Sequence, residues 1–129
     1  MPVNTSWGMN NRSVSFRVPM AGGAARRIEH RIAGAEANPD PVMAAMLAGI
    51  HHGLVNRLQP TPPSTGNAGE AADPAMPLKL WTALDRLEAS TLMADYFGPR
   101  CPAAYAGIKR SEFAAFMADV LPREHDWYL

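Results

Sequence analysis

The sequence predicts an α+β fold, a short antiparallel β-hairpin at the N-terminus followed by a mostly α-helical C-terminal half. Three observations carry that expectation. Apolar and polar residues alternate over residues 13–18 and again over 26–33, with Gly22 and Gly23 between them at hairpin distance. From Pro41 onward, apolar residues recur instead at three-and-four spacing, the period of a helix face. The chain has 129 residues, of which 47% are hydrophobic, enough for one small folded domain with a modest core.

Taken in order, residues 3–7 suit an extended segment and residues 8–11 a turn that accepts unusual backbone angles. In the first strand, Val14, Phe16 and Val18 share one face and Ser13, Ser15 and Arg17 the other, and Pro19 ends it. In the second, Arg27, Glu29 and Arg31 project from one face while Ile28, His30 and Ile32 project from the opposite one. The alanine content also permits a helix over residues 24–37, but a helix would scatter the three charged residues around its circumference. Asn38-Pro39-Asp40-Pro41 then reads as a helix start, with Asp40 as cap and Pro41 at the first helical position. That helix is expected over residues 39–58, with Met43, Met46, Leu47, Ile50, Leu54 and Leu58 forming its apolar face and Pro60 stopping it.

Residues 59–77 contain five prolines and two glycines and predict a long surface connection. Residues 78–129 return to helical spacing: Leu80, Trp81, Leu84 and Leu87, then a short helix starting at Ser90 and ending before Gly98-Pro99. A third helix over residues 102–119 carries Tyr105, Ile108, Phe113, Phe116 and Met117. Trp127, Tyr128 and Leu129 either cap the core or dock on a neighbouring subunit.

The twelve basic and twelve acidic residues cancel, so the chain as a whole offers no charge reason to bind nucleic acid or an anionic membrane. The charge is unevenly placed. Residues 1–35 hold Arg12, Arg17, Arg26, Arg27 and Arg31 against Glu29 alone, which makes the N-terminal quarter the anion-seeking part. Cys101 is the only cysteine, excluding an internal disulfide and a zinc-type cysteine cluster and predicting a reducing, cytoplasmic setting. There is no apolar run of membrane length and no basic-then-apolar leader at the start. Patterns for metallopeptidases, serine hydrolases and phosphate-binding glycine loops are also missing from the sequence, so any phosphate binding would rest on arginine forks.

Asn10-Asn11-Arg12-Ser13, Arg17-Val18-Pro19, Arg26-Arg27-Ile28-Glu29-His30-Arg31 and Gly34-Ala35-Glu36-Ala37-Asn38-Pro39 together resemble the C-terminal part of the glutamine synthetase catalytic domain. The resemblance extends through Leu84-Asp85-Arg86-Leu87 and Lys109-Arg110-Ser111-Glu112, over the whole chain. Asn4-Thr5-Ser6-Trp7-Gly8 and His51-His52-Gly53 look closer to the γ-glutamylpolyamine synthetase-like branch. The resemblance implies a partial catalytic domain of an ATP-dependent ligase that makes γ-glutamyl phosphate and lets ammonia or a polyamine displace the phosphate. It implies Mg2+ or Mn2+ with ATP as co-substrate, glutamate as substrate and a homo-oligomeric full-length enzyme.

By matching position, Arg12 would contact the phosphoryl group and glutamate, Arg17 and Arg27 the ATP phosphates, and Arg31 the glutamate carboxylate, with Glu29 a metal ligand. The sequence departs from the family where a lysine gives way to Ala24 and where Asp40 and Pro41 replace an aromatic and an aliphatic residue. Met1 aligns just after the glutamate of the family's mobile flap, so the chain is expected to be a C-terminal fragment, inactive alone. One carboxylate does not hold a catalytic metal pair. The alternative expectation is a non-catalytic helical module, or a gene remnant, that docks on full-length synthetase subunits. Read without the resemblance, Arg27, Glu29 and Arg31 are a solvated strand face and His51 and His52 are structural or solvent-facing.

Overall fold

A computed structural model describes residues 2–128; Met1, which the sequence aligns beside the flap, and Leu129 lie outside the described residues. The fold is α+β, a small sheet followed by helices. Where the sequence predicts one domain, the chain divides into two compact units, Met1–Leu78 and Lys79–Leu129.

The first unit is built on a three-stranded sheet in the order β1 (Trp7–Met9), β2 (Phe16–Val18), β3 (Glu29–His30). The predicted hairpin is β2 and β3, antiparallel, with Phe16 opposite His30 and Arg17 opposite Glu29. Residues 24–37 do not form the alternative helix; only a single 3-10 turn, Gly23–Ala25, interrupts the connection. The structure adds β1, which runs parallel to β2 with Trp7 beside Phe16 and Met9 beside Val18. The turn expected at residues 8–11 therefore begins later. Asn10 takes a left-handed backbone, φ 49°, and its N–H donates to the Val18 carbonyl at 2.8 Å, closing the end of the parallel pair.

Helix α1 (Pro39–Val55) starts at the predicted residue 39, but its cap differs: the Asn38 side chain, not that of Asp40, accepts the free amide of Asp40, at 3.0 Å. Pro39 thereby takes the first helical position, where its missing N–H costs nothing. The helix also stops before Leu58. Leu58 N–H reaches back to the Gly53 carbonyl at 2.9 Å and Arg57 N–H to Leu54 at 3.2 Å, with Arg57 left-handed at φ 51°. That is the Schellman ending, and it terminates the helix ahead of Pro60.

Residues 59–77, expected as a surface connection, form a strap tied to the N-terminal segment. Ser64 N–H donates to the Trp7 carbonyl at 2.8 Å, Trp7 Nε1–H to the Thr61 carbonyl at 2.6 Å, and Asp73 N–H to the Val3 carbonyl at 2.9 Å. Asn4 Nδ2–H donates to both the Ala68 and Ala71 carbonyls at 2.8 Å, and Ala68 is buried. Gly8 is required where the strap crosses β1, since a Cβ there would sit 2.6 Å from the Ser64 carbonyl oxygen. Val14, Ser15 and Ala48 are also buried, and the unit closes around them.

The second unit packs α2 (Leu80–Glu88) and α3 (Thr91–Phe97) on α4 (Arg100–Ala118), followed by α5 (Pro122–Tyr128). Ser90 caps α3 by accepting from Met93 N–H at 3.2 Å, and Gly98, φ 80°, ends it, both as the sequence predicts. Leu84, Pro102 and Ala106 are buried, the last two small enough to let helices approach closely, and Trp81 meets Phe113 edge-on at 5.4 Å. Ile108, Phe116 and Met117 are exposed, so the inward face of α4 is narrower than the expected stripe. Asp85 and Glu88, both exposed, hold Arg110 at 2.6 and 2.8 Å, and its guanidinium lies over Trp81. Trp127 and Tyr128 are exposed.

Candidate functional site: an arginine–glutamate cluster on the sheet

Cross-strand register creates the centre of the cluster. Because β2 and β3 place Arg17 opposite Glu29, Arg17 Nη1 donates to Glu29 Oε2 at 2.8 Å. Arg27, two residues before Glu29 on the same face, donates to the other oxygen, Oε1, from Nη2 at 3.0 Å and Nε at 3.2 Å. One carboxylate is therefore forked by two guanidiniums, leaving an excess positive charge. The hydrogen bond from Arg17, with help from Arg27, holds the Glu29 carboxyl below the usual carboxylate range. The two arginines differ in freedom: the Arg17 side chain is 17% exposed and that of Arg27 57%.

Arg31 points elsewhere. Its Nη1 donates to the Arg12 main-chain carbonyl, so the two outer members of the predicted set meet through backbone. Arg12 itself is exposed, on the rim of an open polar depression of about 500 Å3 formed by residues 9–13 and 65–67. The five predicted residues thus fall into two contact groups, Arg17–Glu29–Arg27 and Arg12–Arg31, joined by the short loop that starts at Asn10.

That loop holds the residues whose part in the site the sequence did not disclose. Asn11 Nδ2–H donates to the Ser64 and Gly66 carbonyls at 3.1 and 2.8 Å, while its Oδ1 accepts from Ser13 N–H at 2.9 Å and Ser13 Oγ–H at 2.7 Å. Ser13 Oγ in turn accepts from Ala68 N–H at 2.8 Å. Asn10 Oδ1 accepts from Arg17 Nη2. The available signal was the paired asparagines, which favour turns and bond nearby backbone, but their partners in the strap are remote in sequence.

On the other face of the sheet, His30 stacks at a tilt on Phe16, 5.3 Å between ring centres, above an apolar cavity of about 530 Å3 bordered by Val42, Met46 and Ile50 of α1. Burial lowers its pKa, as expected for an imidazole kept neutral. His52 faces Asn56, with 3.2 Å between Nδ1 and Nδ2.

Among the described residues no group of three or more His, Cys, Asp and Glu is placed to hold a metal ion. Glu29 is a single carboxylate with both oxygens already on arginines, so the donor set present does not by itself fit a metal. What the arrangement is equipped to do is receive anions: several guanidiniums, rigid in part, around one shared carboxylate.

Fold and site define a catalytic-domain segment with an arginine-rich, anion-receiving sheet face. The chain belongs to the glutamine synthetase family: the sequence model described as "Glutamine synthetase, catalytic domain" matches residues 1–128. It is 36% identical over 129 residues to gamma-glutamylputrescine synthetase PuuA of Escherichia coli, covering 100% of this chain and 27% of that protein. It is 35% identical over 128 residues to gamma-glutamylethanolamide synthetase GlnA4 of Streptomyces coelicolor, covering 99% of this chain and 27% of the relative. With the glutamine synthetase of Methanocaldococcus jannaschii it shares 32% identity over 136 residues, covering 99% of this chain and 30% of that enzyme. The chain therefore spans about a quarter to a third of the length of these relatives.

Proposed function

We propose that the chain contributes the phosphate- and glutamate-binding wall of an ATP-dependent glutamate–amine ligase, acting with ammonia or a polyamine as acceptor. The observation that carries this reading is the Arg17–Glu29–Arg27 fork, lying within a family match that runs from residue 1 to residue 128. In it, Arg17 and Arg27 take the ATP phosphates, and Arg12 takes the transferring phosphoryl group and glutamate. Arg31, using the guanidinium donors that its bond to Arg12 leaves over, holds the glutamate carboxylate. Glu29 joins Mg2+ or Mn2+ only in company with ligands from other segments. The chain alone is inactive in this reading, and the complete protein is cytoplasmic and homo-oligomeric, without nucleic-acid or membrane partners. No helix among the described residues is long and apolar enough to cross a membrane.

A chimera tests it. When this chain replaces the matching C-terminal segment of the E. coli gamma-glutamylputrescine synthetase, the expected outcome is ATP-dependent formation of γ-glutamyl product with phosphate release. Glu29→Gln or Arg17→Ala should lower it about 100-fold or more. A folded chimera that turns over equally with and without those two side chains would refute the assignment. A second reading, a non-catalytic module that docks on synthetase subunits, is favoured by the apolar side chains Met43, Leu47, Leu54 and Leu58, which stand exposed.

A further inference from the structure

We propose that Asn10 is a positioning residue that holds the Arg17 guanidinium in its fork with Glu29; this rests on the ligase reading for what Arg17 does, though not for where it sits. Three observations converge. Arg17 has one ionic anchor, Nη1 on Glu29 Oε2 at 2.8 Å, and one neutral anchor, Nη2 on Asn10 Oδ1. Its Nε is buried with no hydrogen-bond partner among the described residues, so those two bonds alone orient the planar group. And Asn10 adopts φ 49°, a conformation that few residues other than asparagine and glycine accept readily, while its N–H is tied to the Val18 carbonyl at 2.8 Å beside β2.

The chemistry of the anchor matters. A guanidinium held by Glu29 alone pivots about that single contact, and Glu29 is already shared with Arg27. An amide oxygen removes the pivot without adding negative charge, so Arg17 stays cationic toward an incoming phosphate while its plane is set. Arg27 has a neutral partner too, the Ala25 carbonyl, but at 3.4 Å from Nη1, and with its more exposed side chain it is the adaptable member of the pair.

Guanidinium NMR on the isotope-labelled 129-residue chain tests the inference. In the natural chain the Arg17 Nη signals should be resolved, with slow rotation about the Cζ–Nη2 bond; an Arg17→Lys sample assigns them. Asn10→Gly keeps the left-handed backbone and removes Oδ1, and rotation should become about tenfold faster. Asn10→Asp offers a carboxylate to the same proton and should slow it. Unchanged rotation in Asn10→Gly overturns the inference, and so does unchanged rotation in Asn10→Asp, which decides the matter if the glycine variant does not fold. ATP added to the natural chain separates the two questions. A shift of the Arg17 signals would support its ligase role, whereas unchanged turnover of the Arg17→Ala chimera would sink that role and leave the clamp to be judged by the variants.

Discussion

His30 shows how one residue reports on the face opposite the charges. Burial against Phe16 lowers its pKa from the ordinary 6.5, so the unfolded chain binds a proton there before the folded one does. Stability should therefore be constant above that value as far as His30 is concerned, and fall as pH drops below it toward the folded-state pKa. Glu29, also depressed, works in the same direction at lower pH, its share vanishing as it is protonated in the folded state. The expected outcome is an acid loss of stability in two ranges. His30→Phe should remove the upper one and leave the lower, as read by chemical denaturation at a series of pH values; an unaltered upper range would show that His30 is not its source.

Among the elements, the strap and the strands differ in how far the sequence disclosed them. Alternation around Phe16 and around Glu29 pointed to the hairpin because the pattern of a strand is local, and Ser90 and Gly98 marked the ends of α3 for the same reason. The strap reads as a bare connection because its partners are far away: Asn11 and Gly66 are separated by 55 positions, and prolines say only that no helix or strand continues. The parallel partner β1 was likewise hidden, since three residues carry too little pattern to see. Of the candidate site, the motif singled out five charged residues, whereas their division into two contact groups depends on cross-strand register and on the loop at Asn10. Cutting the strap's ties should be costly. Asn11→Ala strands the Ser64 and Gly66 carbonyls and Ser13, and Gly8→Ala drives a methyl into Ser64; each should destabilise the first unit by about 1–3 kcal/mol. Urea unfolding followed by Trp7 fluorescence measures it, and the Gly8 change should also expose Trp7, whose indole N–H bonds to Thr61 in the strap.

At the scale of the whole molecule, many large apolar side chains stand exposed. Met43, Leu47 and Leu54 follow one stripe of α1 and are 56%, 58% and 73% exposed, more than a solitary soluble chain usually displays on one helix face. The expected outcome is concentration-dependent association, or stable capture on full-length synthetase subunits when these are supplied. The double change Leu47→Glu and Leu54→Glu should abolish both in light scattering. A natural chain that stays monomeric at high concentration and ignores those subunits would count against the docking reading.

The strap has a further consequence for the sheet. By lying along the outer side of β1 and taking the Trp7 carbonyl, it seals that margin, while the margin of β3 has no such cover among the described residues. The sheet is consequently polar in its capacity to grow: a newcomer strand is turned away at β1 and admitted at β3, and it arrives flanking Glu29. A strand pairing there would bring its backbone and its side chains beside Glu29 together.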